Sequence, residues 1–172
     1  MNEVINNIMT RRSIRAFNEQ LLTKEQLETL INAGLCAPSG MGKQTWKFTG
    51  ILNQEIIKKL ATTIGDVLGR EDYNFYHAKA LIITTNESTS RFAKEDNACA
   101  LENIFLAAHS MGIGSVWINQ MLGQCDVPSI RAILDEIGVP KDHEVFGIAA
   151  LGYDENEPKG QVDKIGQYSI IE

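Results

Sequence analysis

Arg11-Arg12-Ser13-Ile14-Arg15-Ala16-Phe17 gathers three guanidinium groups and a hydroxyl into seven residues, and the reading of this stretch decides what the rest of the chain becomes. It follows a segment in which Val4, Ile5, Ile8 and Met9 fall at helical spacing, so the arginines stand at a predicted helix end. Guanidinium forks, the Ser13 hydroxyl and backbone amides at such a place suit a phosphate group. The plainer alternative is a solvated basic helix end, which the helix dipole favours.

The surroundings make that arginine knot conspicuous. The 172 residues carry 16 Lys and Arg against 22 Asp and Glu, a formal net charge of -6. Non-specific nucleic-acid binding needs clustered cations over a broad surface, and this balance argues against it. No apolar run approaches the roughly 20 residues that span a bilayer, so no membrane span is expected. Met1-Asn2-Glu3-Val4 has neither a basic n-region nor an apolar h-region, and no secretory signal is expected. Cys36, Cys99 and Cys125 lack a C-x-x-C spacing and read as free thiols of a reducing, cytoplasmic compartment. His77, His109 and His143 are too scattered to suggest a metal site. With 44% hydrophobic and 22% charged residues, the composition is that of one globular domain over residues 1–172.

Outward from the arginines, Thr23-Lys24-Glu25-Gln26 fits a capping box and starts a second helix through Leu27, Leu30 and Ile31. Ala37-Pro38-Ser39-Gly40 breaks it. From Trp46, extended apolar runs (46–52, 80–85, 114–119 and 144–152) alternate with helical stretches. Asn53 can cap a helix carrying Ile56, Ile57, Leu60, Ala61 and Ile64. Residues 98–111 read as a small-residue helix closed by Gly112, and Asp126 with Pro128 opens a short helix that Gly138 closes. The chain is mixed α and β, and this alternation alone predicts a doubly wound parallel sheet. Gln167-Tyr168-Ser169-Ile170-Ile171 looks like a strand beyond a polar segment from Asp154 to Gly166. Such an arm, about 154–172, either folds back on its own chain or adds a strand to a partner.

Two glycine-rich stretches imitate nucleotide fingerprints and fail on spacing. Gly40-Met41-Gly42-Lys43-Gln44-Thr45 has Ala37 where a P-loop needs its first glycine and Gln44 where it needs Ser or Thr. Gly112-Ile113-Gly114 has Trp117 in place of the third glycine of a dinucleotide site.

Four stretches in order and spacing resemble the nitroreductase family: residues 11–17; Ala37-Pro38-Ser39-Gly40-Met41-Gly42-Lys43-Gln44-Thr45-Trp46-Lys47-Phe48; Gly112-Ile113-Gly114-Ser115-Val116-Trp117-Ile118; and Ala150-Leu151-Gly152-Tyr153. The similarity spans nearly the whole chain. It implies an α+β fold with a mixed, largely antiparallel central sheet flanked by helices, and a C-terminal arm whose strand is exchanged with the partner subunit. It also implies a homodimer with FMN at the interface. By resemblance, Arg11, Arg12, Ser13 and Arg15 hold the FMN phosphate and pyrimidine edge. Pro38, Ser39, Gly40 and Gln44 line the flavin from the partner subunit, although an ordinary helix-ending loop uses the same residue types. Ile118, Asn119 and Gln120 set backbone against the ring near N5, and are otherwise a strand end. Lys159 completes the phosphate site, with Lys164 as second candidate.

This sequence departs from the family pattern at Gly42, where an asparagine is common, at Thr45, where a proline is, and at Gln161, where some relatives have arginine. The chemistry the resemblance implies is a ping-pong transfer: NAD(P)H, a transient donor, delivers hydride to flavin N5. A small electron-poor acceptor (a nitroaromatic, quinone or enone) then takes the electrons. The cofactor carries that chemistry, so no side chain need be a catalytic acid or base. Two other readings are a flavin storage or sensor protein without turnover and a flavin-free dimeric interaction module.

Overall fold

The computed structural model describes residues 2–156 and 165–172. Among these residues five α-helices, α1 (Glu3–Thr10), α2 (Lys24–Leu35), α3 (Gln54–Leu68), α4 (Ala93–Ser110) and α5 (Pro128–Glu136), surround four strands, β1 (Trp46–Ile51), β2 (Ala80–Glu87), β3 (Gly114–Ile118) and β4 (His143–Gly152). The boundaries follow local chemistry. Thr23 and Gln26 form the full reciprocal capping box at the start of α2. The Asn53 Oδ1 accepts the amides of Glu55 and Ile56 at the start of α3. Past α4, Gly112 takes a left-handed φ of 70°, and the Ile113 amide returns to Ala108 O (2.8 Å), closing the helix on its own carbonyls.

Two helix boundaries differ from the sequence expectation. Helix α4 begins at Ala93 rather than near residue 98, and Val127 rather than Asp126 precedes α5, with Pro128 in its first turn. The polar run Lys94-Glu95-Asp96-Asn97 hides the first turn of α4, yet Asp96 and Asn97 are buried there.

The strands form one sheet in the order β1-β2-β4-β3, and every neighbouring pair is antiparallel. A parallel bridge between Ser13 and Ser115 adds the mixed element at its edge. The α/β alternation taken alone therefore gives the wrong strand direction. Ile51 pairs with Leu81, so β2 starts beside the point where β1 ends. That requires residues 69–79 to retrace the length of α3, and the Gln54 side-chain amide donates to Lys79 O (2.8 Å) where the two meet again. Phe75, fully buried, pins the returning segment to the core.

Period-2 alternation sorts β2 and β4 onto two apolar layers. Leu81, Ile83, Ile148 and Ala150 meet Ile57, Leu60 and Ile64 of α3 and Ile130, Ile133 and Leu134 of α5. Ala80, Ile82, Ala149 and Leu151 meet Leu27 and Leu30 of α2 and Leu101, Ile104 and Phe105 of α4. A sheet covered on both faces explains why these strands read as continuous apolar runs. By contrast, α1 buries no residue: Val4, Ile5, Ile8 and Met9 are all exposed. Residues 165–172 form no strand in this chain, and Ile165, Tyr168, Ile170 and Ile171 are exposed. No described helix is long and apolar enough to cross a membrane.

Candidate functional site

Residues 11–18 cross the ends of two strands, and hydrogen bonds fix them on both sides. At Arg11 the backbone leaves the helix (φ -57°, ψ 140°). The Ile14 amide then donates to Ser115 O of β3 (2.9 Å), the Asn18 amide to Tyr153 O (2.9 Å), and the Glu155 amide to Ala16 O (3.1 Å). Phe17, 4% exposed, plugs the end of β4 and pairs with Asp154 in an antiparallel bridge. Two glycines make this crossing possible. A Cβ on Gly114 would stand 3.0 Å from Ile14 Cβ, and one on Gly152 would stand 2.7 Å from the Phe17 ring. The glycines of the third and fourth motifs thus admit the N-terminal segment.

The crossing creates a pocket of about 220 Å³ lined by Arg12, Ser13, Ile14, Arg15 and Ala16, with Asp154 and Asn156 opposite. Asp154 spends one carboxylate oxygen on the Asn156 amide (2.9 Å). Among the described residues, Arg12 and Arg15 bring two guanidinium groups to this pocket and Asp154 brings one carboxylate. The pocket volume lies below the roughly 300–1,000 Å³ of sites that enclose a whole small-molecule ligand.

Arg11 does not line this pocket. Its guanidinium lies 3.4 Å from Glu102 and 6.0 Å from the centre of the Phe105 ring, both on α4. His109 sits nearby and its ring shares a hydrogen bond with the Thr10 hydroxyl (2.9 Å). Burial, and then the Arg11 charge, hold the His109 imidazole below its ordinary range.

The other sequence-derived residues fall elsewhere. Pro38, Ser39, Gly40 and Gln44 lie on the connection from α2 to β1, outside the arginine pocket. The Ser39 hydroxyl accepts the Gln44 amide (3.1 Å). Met41, Gly42 and Gln44 all hold left-handed φ values, 58°, 65° and 50°, and Met41 is 81% exposed at the tip. Ile118 ends β3 with its side chain in the core, leaving only backbone for a ligand. The Asn119 amide is taken by Gln120 Oε1 (3.0 Å). Lys159 and Lys164, like Gln161, lie outside the described residues.

Sequence reasoning missed Asp96. It is 4% exposed, and its Oδ1 accepts the Gly40 amide at 2.7 Å. In sequence, an aspartate near a helix start reads as a dipole complement. The signal that could have found it is the helical spacing Ala93, Asp96, Ala100, Ile104, which places it on the buried face of α4.

The model of the nitroreductase family matches residues 8–74 and 67–153, together most of the chain. A putative NADH dehydrogenase/NAD(P)H nitroreductase of Archaeoglobus fulgidus is 31% identical over 163 residues, covering 91% of this chain and 88% of that protein. The chain belongs to the nitroreductase family. Among solved structures, a nitroreductase with bound FMN from Bacteroides fragilis superposes with a TM-score of 0.90 at 38% identity, covering 100% of both chains. A Bacillus subtilis FMN reductase (NADPH) is 27% identical over 168 residues, covering 87% of this chain and 65% of its own. The antiparallel sheet flanked by helices is the fold shared with the B. fragilis nitroreductase.

Proposed function

We propose that this nitroreductase-family chain is an FMN-dependent oxidoreductase that passes electrons from NAD(P)H to a small electron-poor acceptor such as a nitroaromatic, quinone or enone. The observation that carries the reading is the pocket held by Arg12, Ser13 and Arg15 between the ends of β3 and β4. A phosphate monoester brings close to two negative charges at neutral pH, and two guanidinium forks with a hydroxyl match it in charge and in donors. The residues present fit the phosphate end of FMN. The names of the A. fulgidus and B. subtilis relatives and the FMN bound in the B. fragilis nitroreductase support the same cofactor and donor.

When bound, the flavin supplies hydride acceptance and donation. The protein's part is to bind and orient. Arg12 and Arg15 anchor the phosphate, and the strand-end bridges at Ser13 and Phe17 keep that anchor from moving. The backbone after Ile118 and the loop from Pro38 to Gln44 are assigned to the ring, the loop facing the ring held by the second subunit. Lys159 is assigned to the phosphate. Two unsatisfied apolar surfaces favour a homodimer: the bare face of α1 and the terminal residues 165–172, which carry Ile165, Tyr168, Ile170 and Ile171 into solvent. Fully burying such a side chain contributes about 1.5–3 kcal/mol. In a homodimer the terminal segment would supply the exchanged strand. The single domain of residues 1–172 and a cytoplasmic location complete the proposal.

Stopped-flow mixing of the FMN-loaded protein with NADH or NADPH, followed by an acceptor such as a benzoquinone, tests this function. Rapid bleaching of the flavin and its reoxidation by the acceptor are expected. Stable yellow flavin that neither donor bleaches would instead leave a storage or sensing role.

A further inference from the structure

We propose that Asp96 is a positioning residue that holds the Pro38–Gln44 loop in the shape that meets the flavin. This rests on the reading above that the loop lines the ring.

The loop is gripped by one turn of the chain at the start of α4. The buried Asp96 carboxylate accepts the Gly40 amide at 2.7 Å, the length of a charge-assisted hydrogen bond. On the other side Gly40 lies against Phe92, so closely that a Cβ there would stand 2.3 Å from the ring. The Asp96 amide donates to Phe92 O (2.8 Å), which ties the two gripping residues together. At the far end of the loop, the Thr45 hydroxyl donates to Asn86 Oδ1 (2.7 Å) on β2.

Between these anchors the backbone is held where it would not rest by itself. Met41 and Gln44 have φ values of 58° and 50°, and non-glycine residues adopt that region only occasionally. Such conformations persist where the surroundings over-determine them. Asp96 and Phe92 fix Gly40 at the start of this stretch, and the Ser39 hydroxyl accepts the Gln44 amide at its end. Asp96 and Phe92 also give Gly40 a purpose different from the one its sequence suggests: its missing side chain makes room for Phe92. The tip is presented outward, with Met41 81% exposed.

The test titrates FMN into flavin-stripped, full-length protein and follows flavin fluorescence and the visible circular dichroism of the bound ring. Asp96→Ala is expected to weaken FMN binding by up to about tenfold, because losing the Gly40 hydrogen bond lowers the fraction of protein that holds the competent loop shape, and to alter the dichroism. Asp96→Asn keeps an acceptor oxygen and is expected to recover most of both. Gly40→Ala, whose methyl strikes Phe92, is expected to give a similar loss without touching Asp96, and it carries the test if Asp96→Ala does not fold.

Wild-type affinity and dichroism in Asp96→Ala and Gly40→Ala, alongside weakened binding in Gln44→Ala, would overturn the proposal while leaving the loop at the flavin. If Gln44→Ala also binds FMN normally, the loop does not line the ring and the proposal falls with that reading. Asp96→Asn as weak as Asp96→Ala would equally refute the role given to the acceptor oxygen.

Discussion

Replacing Gly152 by alanine probes the joint on which the proposed phosphate pocket depends. The added methyl would stand 2.7 Å from Phe17 Cδ1 and Cγ and 2.8 Å from its Cβ, where carbon atoms normally rest about 3.5–4.0 Å apart. Phe17 cannot yield freely, because its ring is buried and its backbone is bridged to Asp154. Overpacking of this kind costs about 1–3 kcal/mol. For a chain of this length each kcal/mol lowers the melting temperature by about 2–4 °C, so a fall of about 2–12 °C is expected. A displaced Phe17 also moves Asp154 and the segment that carries Arg15, so FMN affinity should fall with stability. Thermal unfolding by circular dichroism and FMN titration measure the two effects. Phe17→Ala removes two of the three clashing atoms, so Gly152→Ala should lower the melting temperature less in a Phe17→Ala background than in the wild type, a non-additivity that marks direct contact. Unchanged melting and unchanged FMN affinity in Gly152→Ala would refute the packing argument.

Arg12→Ala and Arg15→Ala should each weaken FMN binding about tenfold or more in equilibrium titrations, since hydrogen bonds to charged groups are worth about 1.5–3 kcal/mol; Arg15, the more exposed, should sit at the low end. Glu19 receives a hydrogen bond and then the charge of the buried Lys79 ammonium (2.9 Å), which together hold its carboxyl below the ordinary 4.5. A depressed carboxyl stabilises the fold above its unfolded value and loses that contribution as pH falls. The melting difference between wild type and Glu19→Gln should therefore be greatest above about pH 5 and shrink below 4.5. Burial pushes the Cys125 thiol up, so in a Cys36→Ser/Cys99→Ser background a thiol reagent should label the protein only after unfolding.

Much of this fold is legible because short-range chemistry writes it. Thr23 with Gln26, Asn53, and the glycines at 112 and 138 mark helix ends through hydrogen bonds made within a few residues. The four strands show as apolar runs because the sheet is covered on both faces. Strand direction is different: it depends on residues 69–79 doubling back along α3, and a buried Phe75 in a polar stretch gives little local sign of that path. The arginine segment reads as a candidate phosphate site in sequence, but its support by Gly114 and Gly152 is a contact across about a hundred residues or more. Gly40 misleads for the same reason, since its partner Phe92 lies far along the chain. Asp96 is invisible to motif reasoning because its work is done on another segment's amide. The apolar residues of α1 and of residues 165–172 are plain in both sequence and structure, where they stand exposed.

The most direct test of the central claim is an equilibrium titration of flavin-stripped protein with FMN, read by absorbance and repeated with an Arg12→Ala/Arg15→Ala variant. Saturation at one FMN per chain in the wild type, with a large loss of affinity in the double variant, is the predicted result. A wild-type protein that stays colourless, or one whose FMN affinity is indifferent to both arginines, would contradict it.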